Sequence, residues 1–367
     1  MPRRTSREIA RAISIACTLL LLTAAVVVLR MGTSDPAELV RARFVLFTGY
    51  VDSAAFDAPP DALRRRGFLV DDSAAVRAFS AAVDTIPGWR TRLDAVRAEP
   101  DPLRRAQALT RAFATYGRVG ECDAVVRLLD KVRRPGCCSD HTEVFVALSP
   151  LVGLTAREVH MEEHTMAELW LPAERRWVLL DPMFGYVIRD DAGRALALSE
   201  VRRAELAQPS RVHADAFRPV ALTPDGAAFL ARVYASAASF ERITYTDGVD
   251  VLREDALRGA LRPAPKVVAR LVGALLGVTP TYRTLVDDTN RARVARLTAA
   301  RDLAWAGLLL CALGALVWPS RALWDAAQAR GPRRDAVRAP RRTRGRRAAT
   351  GGRFVRRLAR QAAGRDG

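Results

Sequence analysis

The sequence predicts an α+β fold for the central part of the chain, flanked by two transmembrane helices. Several segments between Asp72 and Leu148 repeat apolar residues three and four apart, which is the spacing of one face of a helix. After Gly153 the period changes to two, the spacing of a half-buried strand. Two apolar runs lie near the ends. We therefore expect a helical layer against an antiparallel sheet, set between two membrane spans.

The formal charge of +18 is concentrated near both ends of this 367-residue chain. The segment from Arg321 onward carries a net +12 and the first eleven residues a net +3. Lysine is almost absent, with only Lys131 and Lys266. Short arginine-rich flanks stay on the cytoplasmic side of a membrane and attract anionic lipid. Because the basic tail lacks interleaved aromatic residues apart from Phe354, we expect membrane lipid and no nucleic acid as its partner.

The two apolar runs are long enough to approach the ~20 residues of a membrane span. Residues 12–29 contain no charge, and residues 303–318 carry Trp305 and Trp318 near their edges, as interfacial aromatic residues do. The first run would also suit a cleaved signal peptide, although it is longer than a typical apolar region of such a peptide and no typical cleavage site follows it before Arg30. The second would also suit a buried helix. The predicted order is a cytoplasmic N-terminus (1–11), a span (12–29), an extracytoplasmic segment (30–301), a span (303–318) and a disordered cytoplasmic tail (319–367).

Five cysteines are distributed unevenly along the chain. Cys17 and Cys311 lie in the predicted spans, where a thiol is an ordinary small apolar group. Cys122, Cys137 and Cys138 would face an oxidising space, and an odd number leaves one thiol over when two have paired. Our hypothesis is a disulfide between Cys122 and Cys137, with Cys138 free.

Helical spacing covers residues 73–83, 102–116, 123–132 and 138–148, and Pro150 ends the last of these. Strand-like alternation follows in residues 156–161, 165–171 and 176–181, with a turn at 172–175. Beyond Tyr186, helices are predicted near residues 199–206, 224–238 and 284–300, the last able to continue into the second apolar run.

Cys138 stands where a reactive thiol would be expected. Pro135 and Gly136 interrupt the chain, and the predicted apolar helix begins directly after them. Unpaired backbone N–H groups and the positive end of the helix dipole favour a thiolate at that position. Nucleophilic catalysis further requires a base and a third group that orients it. A histidine and a carboxylate on neighbouring strands would supply both.

Motifs at a helix start, on a strand and at a strand end resemble the transglutaminase-like core, whose papain-like fold places a cysteine, a histidine and an aspartate in that order. The matching residues are Gly136-Cys-Cys138 followed by Thr142, Phe145, Ala147 and Leu148; Gly153-Leu-Thr-Ala-Arg157; His164 with Glu168; and Trp177 through Asp181-Pro182. The resemblance covers residues 121–186, and the helices from residue 72 onward suit the same core. It implies acyl transfer or hydrolysis of amide or peptide bonds, as in a cysteine protease, an amidase or a transglutaminase-type acyltransferase.

Carried over by position, the resemblance makes Cys138 the nucleophile, His164 the general base and Asp181 the group that holds the imidazole. The Cys138 backbone N–H would be one oxyanion donor. Arg157, Glu168 and Trp177 match structural positions of the family. The implied substrate is a peptide or protein of the cell envelope, and no metal or organic cofactor is implied.

Two positions depart from the family pattern. Met166 stands where an aromatic residue is common, and Met183 stands where a threonine usually follows the Asp-Pro pair. We expect these changes to alter the lining of the cleft, and with it the substrate class, more than the catalytic residues. The acyl-transfer mechanism would be unaffected.

Other readings of the histidines lead to different functions. His141 lies one helical turn after Cys138, where we expect a packing or solvent-facing role, and His213 lies in an apparently irregular stretch that suggests a surface residue. His160-Met-Glu-Glu-His164 matches the H-x-x-E-H pattern of inverted zinc peptidases, with Glu241 as a conceivable third ligand. That pattern needs a helix, whereas the neighbourhood alternates with period two. A catalytically inactive envelope binding module with the same fold is the remaining alternative.

Overall fold

The computed structural model describes residues 2–34, 48–67, 69, 72–113, 127–161, 164–207, 212–217, 228, 244–260, 272 and 282–329. They belong to two compact units, one of Met1–Ala16 with Gly314–Gly367 and one of Cys17–Leu313. The helices are α1 (Pro2–Ser34), α2 (Ser53–Phe56), α3 (Pro60–Arg65), α4 (Ser73–Asp84), α5 (Trp89–Arg97), α6 (Pro102–Phe113), α7 (Leu128–Arg133), α8 (Cys138–Leu148), α9 (Leu198–Ala207), α10 (Gly248–Ala260) and α11 (Arg291–Ala329).

The larger unit is built on one eight-stranded mixed sheet. Its strands are β1 (Thr48–Asp52), β2 (Ala156–His160), β3 (Thr165–Leu171), β4 (Arg176–Asp181), β5 (Tyr186–Asp190), β6 (Val212–Ala216), β7 (Thr244–Asp247) and β8 (Tyr282–Val286). The order across the sheet is β1-β8-β7-β2-β3-β4-β5-β6. Only β1 and β8 pair in parallel among these strands. The fold is α+β, and the sheet draws strands from outside residues 72–186.

The two faces of the sheet bury different apolar clusters, because successive side chains of a strand point to opposite faces. On β3, Ala167 and Leu169 join the cluster that includes Val144 and Phe145 of α8. Met166, from the same strand, joins a second cluster with Phe56 of α2. Helices therefore cover both faces: α4 to α8 and α10 pack on one, and the shorter α2, α3 and α9 on the other.

The strongest sequence patterns predict their elements closely. The structure has α8, β3 and β4 with the predicted bounds, and β2 ends one residue before the predicted position. The helix predicted at residues 123–132 is described only in its second half, which lies in α7. The helix predicted at residues 224–238 lies outside the described residues, except for Ala228. Strands β1 and β5 to β8 and helices α5 and α10 were not predicted, because their short or broken patterns carry little periodic signal.

The helix predicted at residues 284–300 is wrong over its first part. Thr284 lies in β8, and the helix begins only at Arg291. A turn separates the two elements, since the Asn290 side chain accepts the Asp287 N–H at 3.0 Å and donates to the Leu285 carbonyl at 2.9 Å. From Arg291 the helix continues through the second apolar run, as predicted, but it extends to Ala329. Residues 319–329, which we expected to be disordered, are therefore helical.

Two helices are long and apolar enough to span a membrane, over Glu8–Val26 and Arg291–Gln328. Leu309 and Leu310 are 61% and 68% exposed, so the second run is not a buried core helix. In the smaller unit the Ser14 hydroxyl accepts the Trp318 N–H and donates to the Gly314 carbonyl, both at 2.9 Å. The hydroxyl is thus inserted between the Gly314 carbonyl and the Trp318 N–H of α11, directly before Pro319.

Candidate active site

The fold brings together the three residues that the sequence singles out. Cys138 is the first residue of α8, His164 directly precedes β3, and Asp181 ends β4. Because Ala167 pairs with Leu180 across these two antiparallel strands, Asp181 falls opposite Met166, and His164 lies two residues before that point. Diagonal neighbours of this kind are within reach of long side chains.

The His164 ring is held by the Asp181 carboxylate. His164 Nε2 and Asp181 Oδ2 are 2.8 Å apart, and both side chains are fully buried. The other carboxylate oxygen, Oδ1, accepts the backbone N–H groups of Met183 at 2.9 Å and Phe184 at 3.1 Å. The Phe184 ring lies at a tilt against the imidazole, with ring centroids 5.9 Å apart. These contacts fix the orientation of the imidazole and assign its Nε2 atom to Asp181.

The Cys138 thiol is free and half-buried, and hydrogen bonding to the His164 ring and the Thr165 backbone acts on its pKa. Burial by itself would raise the pKa of this thiol. The cationic form of His164 and the two hydrogen bonds outweigh burial, and they hold the pKa of Cys138 below its ordinary value. Burial would likewise lower the pKa of His164, but Asp181 and Cys138 raise it to about 10. The arrangement thus favours a thiolate and an imidazolium at neutral pH.

No protein-family model, curated protein or solved structure matches this chain. The chemistry of the site therefore rests on the geometry of its own residues.

The turn before Cys138 restricts where an oxyanion could bind. The Asp140 Oδ2 atom accepts the N–H groups of Gly136 at 3.1 Å and Cys137 at 3.3 Å. Neither N–H is therefore available to a substrate oxygen. The Cys138 N–H stands at the first position of α8, where an amide has no acceptor within the helix. It remains the backbone donor that the geometry favours for an oxyanion.

The two adjacent cysteines differ in redox state. Cys137 is disulfide-bonded and Cys138 is a free thiol, as the hypothesis requires, while Cys122 lies outside the described residues. Peptide mapping without reduction is expected to recover Cys137 joined to Cys122 and Cys138 in a peptide that reacts with iodoacetamide. A recovered bridge that includes Cys138 would contradict the assignment of this thiol as the nucleophile.

Residues outside the predicted set also shape the site. His141 is fully buried, its Nδ1 donates to the Cys137 carbonyl at 2.9 Å, and its ring lies 6.4 Å from the Phe113 ring. Burial holds the pKa of His141 below its ordinary value, which agrees with a packing role. Asp140 was missed in the sequence, although its position two residues after the first residue of α8 is that of a capping box. Phe184 was missed because nothing local marks it as a neighbour of His164.

The zinc-peptidase pattern lacks the helix that it requires. His160 is the last residue of β2, and the Met161 N–H donates to the His164 carbonyl at 2.8 Å, so the two histidines flank a hairpin connection. The His164 Nε2 atom is occupied by Asp181. Glu163 and Glu241 lie outside the described residues, and within the described ranges no group of three or more His, Cys, Asp or Glu side chains could hold a metal ion.

Arg157, Glu168 and Trp177 form a buried contact group beneath the site. Arg157 Nε and Nη2 donate to Glu168 Oε2 at 2.8 and 2.5 Å, and Nη1 donates to the Phe56 carbonyl at 2.8 Å. The guanidinium carbon lies 4.7 Å from the Phe56 ring centre and 4.2 Å from that of Trp177. This packing ties the β2–β3 hairpin to the segment around Phe56, which is a structural role.

Two expectations need correction. Met166 and Met183 do not line an open cleft, because both are buried, Met166 in the apolar cluster on the sheet face opposite α8. His213 is not in an irregular stretch: it lies on β6, although it is exposed, as predicted, with its Nε2 2.6 Å from Asp191 Oδ1. The alternation in β6 is too short to be recognised in the sequence.

Proposed function

We propose that this chain is a membrane-anchored thiol enzyme of the transglutaminase-like type, which transfers or hydrolyses the acyl group of amide or peptide bonds. The observation that supports the proposal is the buried His164–Asp181 pair at 2.8 Å, with the free Cys138 thiol at the start of α8 and a pKa lowered by the same ring. A thiol is activated as a nucleophile when a histidine base lies beside it and a carboxylate orients that histidine. Cys138, His164 and Asp181 are the residues to which we assign catalysis.

In the proposed reaction one ring nitrogen of His164 exchanges protons with the reacting groups, while Nε2 stays hydrogen-bonded to Asp181. The Cys138 thiolate attacks the amide carbonyl, the C–N bond breaks, and His164 gives its proton to the leaving amine. A thioester to Cys138 remains. His164 then takes a proton from water or from an acceptor amine, whose attack on the thioester breaks the C–S bond, releases the acyl group and restores the thiolate–imidazolium pair. Asp181 stabilises the imidazolium throughout and keeps Nε2 protonated.

We also propose a location outside the cytoplasm for the unit that carries the site. The two spanning helices and the arginine-rich ends favour cytoplasmic termini. The Cys137 disulfide fits the same assignment, because disulfides persist in oxidising spaces. A peptide or protein of the cell envelope is then the substrate within reach of Cys138.

The proposal is tested by the pH dependence of Cys138 alkylation in the full chain, in detergent, with iodoacetamide as the probe. A thiolate held by an imidazolium keeps reacting below an ordinary thiol pKa, so the rate should fall only below neutral pH. His164→Ala removes the cation, and the rate at pH 6.5 should drop about 10- to 100-fold. The rate is read from the mass of the Cys138 peptide.

His213→Ala serves as the matched control, since it removes an exposed histidine, and it should leave the rate unchanged. An ordinary thiol profile in the unaltered chain, insensitive to His164→Ala, would show that the pair does not activate the thiol. That result would favour the inactive binding module. Retention of the profile in the presence of a chelator separates the thiol enzyme from a zinc enzyme.

A further inference from the structure

A second charged cluster lies directly behind the nucleophile, on the side of α8 that faces α7. Lys131 Nζ is 2.6 Å from Asp140 Oδ1 and 2.5 Å from Glu143 Oε2. The Lys131 side chain is 4% exposed and that of Asp140 is fully buried. Buried ions of this kind are costly to maintain, and Lys131 is one of only two lysines in a chain whose other cations are arginines.

The Asp140 carboxylate connects this cluster to the turn that ends at Cys138. While Oδ1 pairs with Lys131, Oδ2 accepts the N–H groups of Gly136 and Cys137. The carboxylate therefore holds both amides that precede the nucleophile. It also places a negative charge two residues from a sulfur that must become an anion, and like charges raise a thiol pKa.

We propose that Lys131 is a positioning residue of this site, which holds Asp140 against the turn before Cys138 and cancels the negative charge of Asp140 beside the thiolate. The inference rests on the proposed function and deepens it. Lys131 does not touch the reacting atoms and acts through Asp140. The pKa of Lys131 supports this role: burial would lower it, but Glu143 and Asp140 outweigh burial and raise it.

Further titratable and charged groups lie on α8 and on the elements packed against it. On α8 itself these groups are His141 and Glu143. The neighbouring elements contribute His164 and Asp181 at the strand ends, Glu158 and His160 of β2, Arg105 and Arg111 of α6, and Asp255 of α10, which pairs with Arg127. Lys131 is the cation that contacts the Asp140 carboxylate directly. It is therefore the group whose removal exposes that charge to the thiolate.

The test is the iodoacetamide alkylation rate of Cys138 as a function of pH, in the full chain, for two single variants and their combination. Lys131→Met leaves Asp140 uncompensated, so the rate at pH 6.5 should fall about threefold to tenfold. Asp140→Asn keeps an oxygen for the two N–H groups and removes the carboxylate, so that rate should rise, by up to about threefold. The double variant should return to within about twofold of the unaltered chain.

Asp130→Asn is the matched control, because Asp130 is an exposed residue of α7 paired with Arg133, and it should change nothing. Equal losses in both single variants would show that the cluster is only a structural clamp, and would overturn the inference, as would no change in either. If Lys131→Met does not fold, Asp140→Asn decides the question by itself: a raised rate supports the inference, and an unchanged or lowered rate overturns it.

The His164→Ala variant separates this inference from the proposed function. If that variant leaves the pH profile of Cys138 unchanged, the thiol–imidazole pair fails. If it abolishes the low-pH reactivity while the Lys131 and Asp140 variants retain it, the positioning role of Lys131 fails alone.

Discussion

Replacing Cys138 with alanine is expected to abolish acyl transfer, with a loss of about 10³- to 10⁴-fold in rate. The change removes the only atom that forms the covalent intermediate and leaves His164 and Asp181 in place. Because Cys138 is half-buried at the first position of α8, and alanine is a good helix former, the fold should be retained. The loss would therefore report on chemistry.

The measurement is acylation by a small activated ester, p-nitrophenyl acetate, which needs no knowledge of the natural substrate. In the unaltered chain the acetyl group should appear on Cys138 in the peptide mass spectrum as nitrophenolate is released. Cys311→Ala removes a different free thiol from α11 and should acylate Cys138 at the normal rate. Equal acylation with and without Cys138 would exclude this thiol as the nucleophile.

Replacing Glu168 with leucine is expected to destabilise the unit by about 3 to 5 kcal/mol. The substitution leaves the Arg157 guanidinium fully buried with a carbonyl and two aromatic rings but without its anion. It also removes the acceptor of the Leu198 N–H, which donates to Glu168 Oε1 at 2.7 Å. Thermal unfolding followed by tryptophan fluorescence should show a Tm lowered by roughly 10 °C.

A surface ion pair provides the comparison for this prediction. Asp215 pairs with Arg189 but is 62% exposed, so Asp215→Ala should change the stability by less than about 1 kcal/mol. Combining Glu168→Leu with Arg157→Met removes both buried charges and should recover a large part of the loss. Glu168→Leu with an unchanged Tm would mean that Arg157 finds another partner.

Periodicity was sufficient for the elements that carry the site. Helix α8 and strands β3 and β4 have long, regular patterns. Their ends are marked by the chain-breaking residues Gly136 and Pro150 and by the turn after Leu171. The pattern was insufficient for β1, β7 and β8, because these short strands are separated in sequence from the consecutive strands β2 to β4, and an isolated short run resembles an extended loop until its partner is known. The membership of these strands in the sheet depends on pairing between residues that lie far apart in the sequence, such as Thr48 with Tyr282 and His160 with Thr244.

The disulfide state of Cys137 and the free thiol of Cys138 were predicted from an odd number of cysteines in one predicted compartment. The burial of Met166 and Met183 was not, since which face of a strand end is covered depends on what packs there. His141 is similar: its helical position was clear, but its complete burial depends on Phe113 and the neighbouring elements.

The sequence by itself determined the class of fold, the two apolar helices and the charge at the ends, because those features follow from local spacing and composition. The candidates Cys138, His164 and Asp181 came from the resemblance of their motifs to the transglutaminase-like core. Only the tertiary structure decided that Nε2 of His164 meets Asp181, that Asp140 takes the amides before Cys138, and that Lys131 is buried against Asp140. These contacts join side chains from different elements. Their distances and burial follow from how helices and strands pack, which local sequence does not specify.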